Sequence, residues 1–164
     1  MGALAPGKKA PALFLNTIDG QRMGLEAALR SGPVLIAFFK VSCPTCQFTF
    51  PFLQRIFEAY KKGPISIWGI SQNDREDTVD FCQQFGVTFP VLLDDARYTV
   101  SNAYNITNVP TLFLIRTDGT IELTSVGFAK SDVETIAQKA SRDTNIPLVP
   151  PFRPGEVIPA FKHG

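Results

Sequence analysis

The chain has 164 residues, of which 45% are hydrophobic and 19% charged, and its formal net charge is +1. That length fits one domain of the usual ~100–200 residues, with a core large enough to need no staples. The composition is far from that of a disordered chain, and the near-neutral charge argues against a broad surface for nucleic acid or anionic lipid, which leaves small molecules or other proteins as partners.

The opening MGALAPGKKAP has two lysines but no apolar stretch behind them, so it does not read as a secretory leader. The longest apolar run in the first forty residues is Val34 to Phe39, well short of the ~18 residues a membrane helix needs. As written the chain reads as cytoplasmic, or as periplasmic or otherwise exported if a leader has been removed. Three cysteines are too few for a disulfide framework, and the odd count points to chemistry instead.

In chain order, ALFLNT (12–17) reads as a short strand closed by the turn pair Asp19-Gly20. LEAALR (25–30) reads as a short helix stopped by Ser31-Gly32-Pro33. PVLIAFF (33–39) is a continuous apolar run, short and rich in β-branched and aromatic residues, which predicts a central strand buried on both faces. From Pro44 to about Lys62, apolar residues recur at spacings of three and four, which is helical, with Pro51 inside as a kink and Gly63-Pro64 at the end. ISIWGIS (65–71) is another buried strand, and Asp74 is the expected N-cap of a helix to Phe85 closed by Gly86.

FPVLLD (89–94) gives a strand and Tyr98 to Tyr104 a short helix. After Val109-Pro110, TLFLIR and TIELTSV form a hairpin across Asp118-Gly119. Ser131 and Glu134 make a capping box opening a last helix to about Ser141. The division expected is a domain over 1–142 and an extended tail over 143–164. The tail carries Pro147, Pro150, Pro151, Pro154 and Pro159, most of them flanked by aliphatic residues, and is expected to be packing or linker rather than a ligand for an SH3-type module. Interleaved strands and helices ending in a hairpin and a helix indicate an α/β domain with a mixed sheet covered on both faces.

Chemistry concentrates where the central strand meets the long helix, in FFKVSCPTCQFTF (38–50). Cys43 precedes Pro44, and proline favours the first helical position, so Cys43 is the expected N-cap. Unpaired N–H groups and the helix dipole there favour a thiolate, and cysteines so placed have pKa values lowered from about 8.5 to roughly 3.5–7.5. This makes Cys43 the candidate nucleophile. Cys46, one turn further in, is within disulfide range and is the candidate resolving thiol. Lys40 adds favourable potential if it points at the pair. A zinc site would need a second ligand pair, but the only histidine is His163 and Cys82 stands alone. No metal or cofactor is therefore implied. An inert disulfide is the other bland reading, and the spacing beside a βαβ pattern favours a redox dithiol.

On these residues the chain resembles the thioredoxin superfamily, and best its thiol-disulfide oxidoreductase branch typified by TlpA and ResA, with the related redoxin domains. The resemblance runs over about 6–140, through APALFLNTIDGQ, PVLIAFFKVSCPTC, FGVTFPVLLDD and YNITNVPTLFLIRTDGTI. It implies a thioredoxin-like fold with an N-terminal extension and a central insertion over about Ile65 to Asp95. It also implies that Val109-Pro110-Thr111 is a cis-proline turn across from the dithiol, where Pro44, Thr45, Val109 and Pro110 meet the substrate. The implied partners are protein thiols or disulfides and an upstream electron donor or acceptor.

The chain departs from the family pattern at several positions. Ser42 stands where tryptophan is usual, and Ala37 where a buried acid is usual. The branch's glutamate after the next strand is replaced by Ser71-Gln72-Asn73-Asp74, leaving Lys40, Gln72, Asp74 or water as proton relay, although an N-capping carboxylate already has a partner. A peroxiredoxin-like peroxidase is the alternative, since VSCPT echoes a peroxidatic cysteine. It would need a threonine or serine at Lys40 and a proline at Ile36. Cys82 and Trp68 read as core, with a second redox role for Cys82 as the alternative, and Phe48 or Phe50 as part of an apolar collar for unfolded substrate.

Overall fold

A computed structural model describes residues 2–164. The chain begins with a hairpin of β1 (Phe14–Asn16) and β2 (Arg22–Gly24), then α1 (Leu25–Leu29). Next come β3 (Val34–Phe39), α2 (Pro44–Tyr60), β4 (Ser66–Ser71), α3 (Arg75–Phe85), β5 (Val91–Leu93) and α4 (Thr99–Ala103). β6 (Thr111–Ile115), β7 (Ile121–Val126), β8 (Phe128–Ala129), α5 (Lys130–Thr144) and β9 (Phe161–Lys162) complete it.

Five strands form the main sheet in the order β5-β4-β3-β6-β7, with β3 at its centre. β3 runs parallel to β4 and antiparallel to β6, so the sheet is mixed, as the sequence predicts. Every residue of β3 is buried, and its side chains alternate between two cores. Leu35, Ala37 and Phe39 pack with Phe50, Leu53, Ile56, Phe81 and Ile136 under α2, α3 and α5. Val34, Ile36 and Phe38 pack with Leu25, Trp68, Val100 and Tyr104 on the other face. Burying each such large side chain stabilises the fold by roughly 1.5–3 kcal/mol. One helix-spaced set of phenylalanines clamps the long helix to the sheet: the Phe39 and Phe50 ring centroids are 4.4 Å apart.

Register sets what meets at the end of β3. Its parallel pairing with β4 sets Phe39 opposite Ser71, so the two loops that follow leave the sheet side by side. The antiparallel β6 begins there too, with Thr111 opposite Phe38, which brings Val109-Pro110 to the same end. Helix α3 forms as its signals require: the Asp74 carboxylate accepts from the Asp77 N–H at 2.9 Å, and Gly86 ends it in the left-handed conformation at φ 68°.

Two expectations need correcting. Ser131 does not cap the last helix, which begins at Lys130 with Ala129 as a cap residue whose side chain makes no capping bond, and which continues to Thr144. The reason is that β8 runs straight into α5, and the exposed Lys130 N–H is satisfied from outside by the Ala160 carbonyl at 2.9 Å. The C-terminal segment also holds a strand absent from the sequence reading, since β9 pairs antiparallel with β8, Phe128 opposite Lys162 and Ala129 opposite Phe161.

That segment is packed on the body. The Val149 N–H donates to the Tyr60 hydroxyl at 2.8 Å, and Arg55 makes a two-pronged contact with Glu156 at 2.7 and 2.8 Å. Phe152 sets its ring 5.0 Å from Phe52.

Candidate active site

Cys43 occupies the N-cap of α2 with extended backbone (φ −83°, ψ 114°), and Pro44 is the first helical residue. Its half-buried sulfur accepts from the Cys46 N–H at 3.2 Å, replacing a side-chain oxygen as the cap. The first helical turn closes behind it, the Gln47 N–H donating to the Cys43 carbonyl at 3.0 Å. The Cys43 thiol donates to the Val109 carbonyl at 3.4 Å. The Val109–Pro110 peptide bond is cis, and the turn is tied down by Thr111, whose hydroxyl donates to the Asn108 carbonyl at 2.7 Å.

Cys46 sits in a different medium. It is fully buried, and burial pushes its thiol well above the usual range, with the hydrogen bond its thiol gives to Cys43 acting in the same direction and the Lys40 backbone working against them. One sulfur is therefore partly exposed beside the Val109 carbonyl and the other faces the core, one helical turn apart. Neither is bonded to another cysteine.

The loop between β3 and the dithiol is held from both sides. Asn73 accepts from the Val41 N–H at 2.9 Å through its side-chain oxygen, and the Gln47 amide donates to the Val41 carbonyl at 2.9 Å. Neither residue stood out in the sequence. The signal lay in the register: two residues beyond the Phe39–Ser71 pair, position 73 falls beside position 41.

None of the remaining candidates bonds either sulfur through its side chain. Lys40 has an exposed side chain, while its carbonyl accepts from the Cys43 N–H at 3.2 Å. Gln72 donates to the Ser101 hydroxyl at 3.0 Å, and Ser101 in turn donates to the buried Asp94 at 2.8 Å. Asp74 is committed to its helix cap. Of the two phenylalanines after the dithiol, Phe50 is core, whereas Phe48 is partly exposed beside Phe128 at 5.0 Å. Cys82 lies in the core under α3, where burial, with the nearby Asp19 adding to it, raises its pKa to about 11. Ile36 is buried mid-strand, paired with Trp68 and Phe113.

A family model described as "AhpC/TSA family" matches residues 6–124. The chain belongs to the AhpC/TSA family. Within it, the thiol-disulfide oxidoreductase ResA of Geobacillus kaustophilus (strain HTA426) is 31% identical over 134 residues, which is 80% of this chain and 76% of that protein. A solved structure from Chlorobium tepidum, assigned as a thiol:disulfide interchange protein DsbE, superposes with a TM-score of 0.74 at 26% identity over 84% of this chain and 96% of that one. A candidate protein disulfide isomerase from Bacteroides thetaiotaomicron gives a TM-score of 0.81 at 21% identity, covering 88% of this chain and 95% of that one, and shares the fold. The thioredoxin-like architecture and the thiol-disulfide oxidoreductase class expected from the sequence both stand, and the peroxidase alternative is the less supported. No helix among the described residues is long and apolar enough to cross a membrane.

Proposed function

We propose that this oxidoreductase reduces protein disulfides, with Cys43 as nucleophile and Cys46 as resolving thiol. The Cys43 thiolate attacks one sulfur of the substrate disulfide; a Cys43–substrate disulfide forms and the other substrate sulfur departs as a thiolate. Cys46 then loses its proton and attacks Cys43, forming the Cys43–Cys46 disulfide and releasing the second substrate thiolate. Two electrons pass to the substrate; one departing thiolate takes up the proton that Cys46 loses, and the other takes one from solvent, equal to the proton Cys43 gave up on ionising. An upstream dithiol donor must restore the reduced pair.

The observation that carries this reading is the unlike placement of the two sulfurs, one at the groove against the Val109 carbonyl and one in the core. Pro44, Thr45, Val109 and Pro110 are the residues the substrate meets, with the backbone of Val109 as a hydrogen-bonding edge; Pro44 is exposed, whereas Thr45 and Pro110 are buried in this structure. Asn73 and Gln47 act as positioning residues through Val41. For the proton leaving Cys46, water is the acceptor that fits best, since the Gln72 and Asp74 side chains are both occupied.

The test is reduction of a protein disulfide by the reduced, purified chain, with released thiols counted. Two thiols per chain are expected, and Cys43→Ser should lower the rate by about 10³-fold or more. An unchanged rate in that variant removes the assignment.

A further inference from the structure

We propose that Phe161–Gly164 lies in the groove where substrate binds, so that the surface between Thr45, Val109-Pro110 and the Gly127–Ala129 edge takes an extended polypeptide and the chain's own strand must be displaced first. This rests on the function proposed above, and it names the partner as a main-chain segment in strand conformation.

The contacts are those of a bound peptide. The Thr45 hydroxyl, inside the Cys43–Cys46 turn, donates to the His163 carbonyl at 2.5 Å. Gly164 packs so closely on the carbonyl that faces Cys43 that a Cβ there would fall 2.2 Å from the Val109 oxygen. On the other side β9 adds to β8, and a Cβ on Gly127, whose φ is 76°, would come 2.7 Å from the Lys162 carbonyl. Lys162 lays its ammonium 5.1 Å from the centre of the Phe48 ring, covering the apolar face beside the dithiol.

Most of these contacts are made by backbone atoms, while Phe161 as a whole is 47% exposed. Strand addition of this kind draws affinity from the main chain and tolerates many side-chain sequences, which suits disulfide-bearing segments of varied proteins. The anchor at Arg55–Glu156 leaves only the short stretch from Val157 to Ala160 before β9. The strand is thus an intramolecular competitor, present at an effective concentration of about millimolar.

The test uses full-length variants outside the dithiol turn. Gly164→Ala adds a methyl group where the Val109 carbonyl leaves no room, and Lys162→Pro removes strand-pairing capacity from β9. Both should speed alkylation of Cys43 and raise kcat/KM for a protein disulfide by about tenfold, the order expected when such a competitor is lost. A synthetic IPAFKHG peptide added at millimolar concentration should bring the variants back towards the wild-type rate. Unchanged or lower rates in Lys162→Pro overturn the inference, whatever Gly164→Ala does. If Cys43→Ser abolishes turnover in the same assay, the oxidoreductase assignment survives that outcome; if it does not, the assignment itself fails.

Discussion

The dithiol turn and the C-terminal segment meet in one groove but are held there by different means. The turn is built first from bonds between near neighbours in sequence, the Cys46 N–H on the Cys43 sulfur and the Gln47 N–H on the Cys43 carbonyl, and is braced from afar by Asn73 on Val41 and by the Val109 carbonyl on Cys43. The segment has no regular structure of its own before β9 and is fixed by scattered partners: Tyr60, Arg55, Phe52, the Lys130 amide and Thr45. A local device of the first kind forms with its helix and stays formed. A distributed hold of the second kind can be released piecewise, because no single contact carries it.

The largest effect should come from breaking the turn's division of labour. Cys46→Ser leaves the attacking sulfur in place but removes the means of release, so steady-state turnover should fall by about 10²-fold or more while one substrate equivalent stays attached to Cys43. Mass spectrometry of the intact adduct checks this, and rapid release would mean another group resolves it.

Phe128 joins the two regions. It is fully buried, with Phe48 at 5.0 Å, Phe52 at 6.1 Å and Phe152 at 6.2 Å, so Phe128→Ala should cost about 3–5 kcal/mol. Urea denaturation would show it, together with loss of protection in the segment. Asn73→Ala touches the turn alone. With no acceptor for the Val41 N–H, about 1–2 kcal/mol should be lost, and Cys43 alkylation kinetics should change while the segment stays in place.

The smallest effect is a pH dependence confined to the segment. Hydrogen bonding from Arg55, then from the Arg153 backbone, lowers the Glu156 pKa from 4.5 to about 2. A depressed carboxylate pKa contributes stability above 4.5, and that contribution drains away as the pH falls towards 2. Acidification through this window should loosen the segment before the dithiol turn, as followed by amide exchange at residues 157–164. Glu156→Gln should remove the dependence, and raised salt should weaken it.

The same contrast explains what the sequence could reveal. The strand over Val34–Phe39, the proline-started helix and the Asp74 and Gly86 caps follow from adjacent residues, so they could be read directly. Asn73 became visible only once the parallel register of β3 and β4 was known. The segment's partners lie far away, Tyr60 from Val149 by 89 positions and Thr45 from His163 by 118, and two-residue strands such as β8 and β9 have no periodicity to read. The Ser131–Glu134 motif misled because a carbonyl from that distant segment already met the need a cap would fill.

The bond from the Lys130 amide to the Ala160 carbonyl has one more consequence. It joins the first peptide group of α5 to the strand lying over the dithiol, so whatever lifts the strand also uncovers that one proton. A single nuclear resonance, 33 positions before the cysteine-adjacent histidine carbonyl at His163, thereby becomes a natural gauge of how often the groove stands vacant.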